Sequence, residues 1–251
     1  MINLLSGEWY KLRKSKSFLI CCVVIICSVF LVYGTLNIGS ESVWASMGIM
    51  DVYQQVVICF VNMTSVIFSA LFVITEFVNG AIKNLVGKGY SKEKIFLSKF
   101  IMNSVAVVMM VVLSAIVSWV LGCFFIGTEG INGALIRDYV IFTLLQSGLM
   151  IALNGIVITL SEVCRNLGAG ISIGIIIVGF STLLSSALDL VFNRFSISFK
   201  ATDYWVVDVM QNCPISGFGA NVVIQVIFVI VLWSVLAIGA GMWHFRKADI
   251  K

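Results

Sequence analysis

The stretch Glu76-Phe77-Val78-Asn79-Gly80-Ala81-Ile82-Lys83-Asn84-Leu85-Val86-Gly87-Lys88-Gly89-Tyr90-Ser91-Lys92-Glu93-Lys94 decides how the rest of the chain is read. It is basic and punctuated by glycine, and it is wedged between two long apolar runs. The 24 residues before Glu76 carry no charge, and none follows Lys99 until Glu129. A charged segment so placed lies at a membrane surface, and its side of the membrane fixes the topology of its neighbours.

Composition gives the same class. The 251 residues are 60% hydrophobic and only 11% charged, with a mean hydropathy of +1.08. A water-soluble fold of this length cannot bury that much apolar surface, so lipid must be the solvent. One proline and 21 glycines suit packed membrane helices, where small residues let backbones approach closely.

Six uncharged runs stand out at about 18–36, 56–75, 101–126, 140–160, 168–188 and 222–243. Each is long enough to cross a ~30 Å hydrocarbon core as a helix rising 1.5 Å per residue. They are continuously apolar rather than alternating, which excludes barrel strands. The run from Phe18 is too long for a signal-peptide core, and no convincing cleavage site follows it, so it reads as an uncleaved span.

Lys and Arg set the orientation. Thirteen fall on the side of the N-terminal segment, the 76–100 segment, Arg165 and the C-terminal tail, against three on the other side. The positive-inside rule puts the richer side, with both termini, in the cytoplasm. The expectation is an all-α integral membrane protein at the plasma membrane, N-in/C-in, its whole length one six-span transmembrane domain.

Outside the spans, two segments invite structure. Ile2, Leu5, Trp9 and Leu12 recur at helical spacing ahead of the first run, with Glu8, Lys11 and Lys14 off that stripe, as in an interfacial helix. The connection Asp189–Asn221 is long and half-apolar, so it is expected to be partly structured. There Thr202 is placed to cap a short helix from Asp203 to Asn212, ended by Pro214. Two readings stay open for this outer segment: packing on the span ends, or a gating role in which the helix dips into the outer leaflet or roofs a cavity.

The seven cysteines (Cys21, Cys22, Cys27, Cys59, Cys123, Cys164, Cys213) are scattered and the one histidine is His244, so no metal site is expected. Gly87-Lys88 resembles the end of a phosphate-binding loop, but Ile82 stands where the first glycine belongs and Gly89 replaces the hydroxyl residue. No nucleophile elbow or zinc-protease motif occurs. The chain therefore reads as a non-enzyme that binds no cofactor of its own and no nucleic acid.

The uncharged runs also lack the carboxylates and histidines that ion-coupled pumps carry. Their polar residues are neutral: Asn62, Thr64, Asn103, Gln146, Asn154 and Gln225. These fit hydrogen bonds between helices, with a substrate path as the other reading. Gly170 and Gly174 form a G-x-x-x-G pair for close helix packing, within the chain or across a dimer, and Gly148 with Ala152 is a similar pair. Glu162 and Arg165, three residues apart in the second cytoplasmic connection, either pair with each other or face a partner.

Residues 76–99 resemble the ABC-2 family of ABC-transporter permeases, especially small six-span subunits from Gram-positive bacteria. That pattern has an acidic residue after the second span, a glycine-threonine-aliphatic-lysine run, a basic glycine-containing turn, then basic residues entering the third span. Here it reads Glu76, Gly80-Ala81-Ile82-Lys83, Gly87-Lys88-Gly89, Ser91-Lys92 and Lys99, with Ala81 in the threonine position. The basic ending Phe245-Arg246-Lys247-Ala248-Asp249-Ile250-Lys251 is also similar to the family's.

The resemblance implies a half-transporter without a motor. It would pair with a second permease, identical or different, and sit on cytoplasmic ABC ATPase subunits that hold ATP and Mg. The segment carrying Glu76, Gly80, Ile82, Lys83, Gly87, Lys88 and Gly89 would be the coupling helix that docks on that ATPase. The implied activity is efflux of an amphipathic or hydrophobic substrate, with antibiotic-peptide immunity as one such role. The alternatives are an ATP-independent transporter or channel, and a non-transporting immunity or sensor protein.

Overall fold

A computed structural model describes residues 2–38, 48–128, 131–164, 166–195 and 199–247. The expectation for Arg165 and that for the tail from Ala248 fall outside these residues. The described residues contain helices and connections and no strand.

In chain order the helices are α1 (Ile2–Lys14), α2 (Lys16–Ile38), α3 (Ile49–Val78), α4 (Ala81–Gly87), α5 (Lys92–Phe125), α6 (Gly133–Cys164), α7 (Leu167–Arg194), α8 (Val206–Gln211) and α9 (Ala220–Lys247). Among the described residues, six are long and apolar enough to cross a membrane: α2, α3, α5, α6, α7 and α9. The chain is thus an all-α membrane protein.

Each spanning helix outlasts its uncharged run. The 34 residues of α5 would extend ~51 Å at 1.5 Å per residue, well beyond a ~30 Å core. The runs mark what lipid tolerates, whereas the backbone ladder continues wherever nothing interrupts it. Ionisable residues at run edges are consequently helical: Glu76 in α3, Lys99 in α5, Asp138 and Glu162 in α6. An uncharged run did not mean a helix free of charge.

Helices α3 and α6 form the centre, each with 67% of its most apolar stretch buried, while α7 and α9 bury only 17% and face outward. Glycine allows the tight crossings. A Cβ on Gly148 would lie 2.6 Å from Ile230, and one on Gly155 2.8 Å from the Phe100 ring. Cβ atoms on Gly170 and Gly174 would run into Ile74 and Val66 of α3. The Gly170/Gly174 pair therefore lies at a crossing inside the chain.

Polar groups tie the same helices together. Asn154 donates to Ser65 Oγ at 3.1 Å and accepts from Ser69 Oγ at 2.7 Å, joining α6 to α3. Gln146 donates to the carbonyl of Met210 at 2.9 Å, and Thr159 to that of Ala237 at 3.1 Å. Buried interhelical bonds of this kind contribute roughly 0.6 kcal/mol each.

The outer segment is fastened down. Helix α8 buries Val206, Val207, Val209 and Met210. Trp205 donates to Ser181 Oγ at 2.8 Å, Trp233 to the Tyr204 carbonyl at 2.8 Å, and the two indoles meet edge to face at 4.8 Å. The expected Thr202 cap is corrected: α8 begins after Trp205, whose side chain makes no capping bond. Because α7 runs on to Arg194, its Asp189 carboxylate meets the following amides first. Thr202 Oγ1 donates to Asp189 at 2.6 Å instead, in a 3-10 turn at Ala201–Asp203.

The first helix also differs in its inward face. Leu4, Glu8 and Leu12 are buried against the bundle, whereas Trp9 and Tyr10 are 45% and 60% exposed. Of the expected stripe, Trp9 stays exposed, as an interfacial residue would, whereas Leu12 packs inward. Glu8, expected on the polar face, is buried and pairs with Lys11 one turn on.

Candidate functional site

The charged end of the bundle is built around α4. The chain leaves α3 through Asn79, and Gly80 takes a left-handed conformation (φ 68°) that any side chain would strain. At the far end of α4, Gly89 (φ 84°) completes a Schellman motif. Tyr90 N–H donates to Leu85 at 3.3 Å and Gly89 N–H to Val86 at 2.9 Å. Gly87 is merely the last helical residue, and its missing side chain answers no conformational need. The turn belongs to Gly80 and Gly89.

Between these glycines α4 is short and two-faced. Ile82 is 1% exposed and seats it on the bundle. Lys83, Asn84, Gly87 and Lys88 are exposed on the other face. The segment thus offers two ammonium groups on a short helix that is bounded by left-handed glycines and seated by Ile82.

Directly behind it lies a buried ionic cluster. Lys99 of α5 is fully buried and is ion-paired to Glu76 at the end of α3. The second Glu76 oxygen meets Lys11 of α1 at 3.3 Å, and Lys11 meets Glu8 at 2.9 Å. Partial burial works against the charge on Lys11, but the carboxylates of Glu8 and Glu76 outweigh it and raise its pKa. The Phe72 ring stands 5.9 Å from the Lys99 ammonium. Three helices are pinned at one point immediately before α4.

Glu162, near the end of α6, is 1% exposed, and neither carboxylate oxygen has a hydrogen-bond partner among the described residues. Among the described residues, Lys99 is a cation that acts on it electrostatically. The charged end therefore gathers Glu8, Lys11, Glu76, Lys99 and Glu162 from four helices. Lys99, counted from the sequence as a surface lysine entering a span, is the centre of this group.

Sequence reasoning missed Glu8 and Lys99 as members of the cluster. A signal was available: Glu76 and Lys99 have opposite sign and sit at the facing ends of two helices joined by a short connection. Depth was the missing quantity. Among the described residues, no group of three or more His, Cys, Asp and Glu could hold a metal ion.

A family model described as ABC-2 family transporter protein matches residues 4–181. The match begins in α1 and ends within α7, so it contains α4 and the whole ionic cluster. The chain belongs to the ABC-2 family of transporter proteins. No curated protein matches it. As a family member it is a multi-pass membrane component of a transporter, the class that the Glu76–Lys99 pattern implied. The matched region carries Gly80, Ile82, Lys83, Gly87, Lys88, Gly89, Glu162, Gly170 and Gly174. The outer segment with α8 and the last helix α9 lie beyond it.

Proposed function

We propose that this ABC-2 chain is the membrane-spanning permease subunit of an ATP-driven exporter, and that a separate cytoplasmic ATPase, holding ATP and Mg, docks on α4. The observation that carries this reading is the construction of α4: an exposed lysine face, left-handed glycines at both ends, and a buried ionic anchor behind it. A force applied to such a helix reaches α1, α3 and α5 together, because Glu76 holds a lysine of each neighbour. The charge asymmetry supports placing this end, with both termini, in the cytoplasm of the plasma membrane.

A second copy or a different permease would complete the transporter. The substrate class the spans favour is amphipathic or hydrophobic, because the lipid-facing helices α7 and α9 offer an apolar approach from the bilayer. A peptide or peptide antibiotic fits that class. The test is to isolate the complex from membranes and measure ATP hydrolysis. A cytosolic ATPase that co-purifies, and whose turnover depends on this chain, supports the reading. A purified chain that alone moves substrate down an ion gradient contradicts it.

One observation favours a second reading. Glu76, Lys99 and Glu162 are buried within spanning helices, where ion-coupled transporters carry their ionisable groups. Uptake that persists without ATP and follows an imposed ion gradient would support an ATP-independent transporter.

A further inference from the structure

Helix α3 is not α-helical throughout. Between Val57 and Val61 its backbone widens into a π turn, and the N–H of Asn62 reaches back five residues to the carbonyl of Val57. No proline or glycine lies between Ile49 and Val78 to impose this. A π turn is one residue more than the α-helical ladder accommodates, and such turns concentrate at functional sites.

The residue that closes the turn carries a second cost. Asn62 is 1% exposed, and neither its amide nitrogen nor its amide oxygen has a hydrogen-bond partner among the described residues. A buried unpaired amide costs about 1–3 kcal/mol. Asn62 holds both a donor and an acceptor where the backbone ladder would have to exchange partners. It is suited to holding groups released if the turn shifts or closes.

Packing changes at the same point. The outer part of α3, Ile49–Val56, rests chiefly on α5 and α2. Its Gln54 donates to the carbonyls of Gln211 (3.4 Å) and Cys213 (3.2 Å) at the end of α8. The inner part, Asn62–Val78, rests chiefly on α7 and α6, and it ends in Glu76 and the turn into α4. The two parts differ in their chief neighbours, although Tyr53 of the outer part also packs on Tyr139 and Phe142 of α6, and five widened residues join them.

We infer that the π turn Val57–Val61 is a hinge through which movement of α4 is passed to the outer segment. A push on α4 moves the inner half of α3, with α1 and the inner end of α5 held to it through Glu76. The hinge converts that motion into a change of angle at the outer half, and Gln54 carries it to α8. The hinge stands on the geometry of α3 alone; only the identity of what drives it rests on the proposed docking of an ATPase.

The experiment is electron–electron spin resonance in lipid nanodiscs, on a chain whose seven native cysteines are replaced by alanine or serine. Spin labels go on Gln55 and Val78, both exposed and separated by ~35 Å at 1.5 Å per residue. Two changes are compared with the parent: deletion of the exposed residue 59, which removes the extra residue of the π turn, and Asn62→Leu, which removes the unpaired amide. For the chain alone, the expected distance distribution is roughly twice as broad in the parent as in the deletion, with Asn62→Leu narrowed toward the latter. With the ATPase bound, vanadate trapping should shift the parent's mean distance by about 2 Å or more and leave the deletion unmoved.

Equal widths in parent and deletion overturn the hinge, as does a vanadate shift that survives the deletion. Should the deletion fail to fold, Asn62→Leu decides by the same width comparison. If no ATPase binds at all, the proposed function fails, while the widths measured on the chain alone still decide the hinge.

Discussion

Glu76 and Lys99 show how much a single pair can hold. Lys99 is fully buried, and its partner also receives Lys11, so removing either charge leaves the other in a low-dielectric interior. Breaking a buried pair costs about 3–5 kcal/mol, whereas replacing both partners by apolar groups is often neutral. Glu76→Gln and Lys99→Met should each lower the midpoint of thermal unfolding in detergent strongly. The double change Glu76→Leu with Lys99→Met should recover most of the loss. Additive losses in that cycle would mean the two side chains are not coupled.

Glycines divide in the same way. A Cβ on Gly170 meets Ile74, whereas one on Gly179 meets nothing within 4 Å. Gly170→Val should cost about 1–3 kcal/mol through overpacking of the α3–α7 crossing. Gly179→Ala should be neutral or mildly stabilising. Chemical unfolding of the two variants side by side checks the assignment.

Among the elements, α4 most rewards a test because its sequence left the turn glycine ambiguous. Gly87 and Gly89 look interchangeable in the string Gly87-Lys88-Gly89, yet only Gly89 has a positive φ. Gly87→Ala should stabilise the exposed helix by up to about 1 kcal/mol. Gly89→Ala should cost about 1–2 kcal/mol from the left-handed conformation. Protease cleavage between residues 80 and 92 would report this directly, faster in Gly89→Ala and slower in Gly87→Ala.

The elements also show where sequence reading stops. Hydropathy located the spans because lipid excludes charge from their middles. It could not locate helix ends, because backbone hydrogen bonding continues through interfacial residues such as Lys92 and Arg194. The N-terminal stripe was legible only in part. Periodicity identifies an apolar face but not whether lipid or protein covers it: Leu12 of that stripe is buried, Trp9 is exposed, and Glu8 lies inward beside Lys11. Thr202 was misread because Asp189 was taken to lie in a loop, not at the end of α7.

At the scale of the molecule, class and site separate. Composition and run length sufficed for a helical membrane protein, and residues 76–99 carried the family likeness that the match over residues 4–181 supports. The ionic cluster was legible only in fragments, since its members come from four helices and sequence distance hides their meeting. The π turn was invisible, because nothing in the string from Val57 to Val61 differs from ordinary apolar helix.

In the proposed function, α4 is the site where an external motor grips the bundle. The most direct measurement is cysteine crosslinking in native membranes, on a background without the seven native cysteines. Single cysteines are placed at Lys83 and Lys88 on α4 and, as a control, at Asn221 at the opposite end. The account expects Lys83→Cys and Lys88→Cys to form a crosslinked species containing a cytosolic ATPase, and Asn221→Cys to form none. Crosslinking at Asn221 alone, or at none of the three, would contradict it.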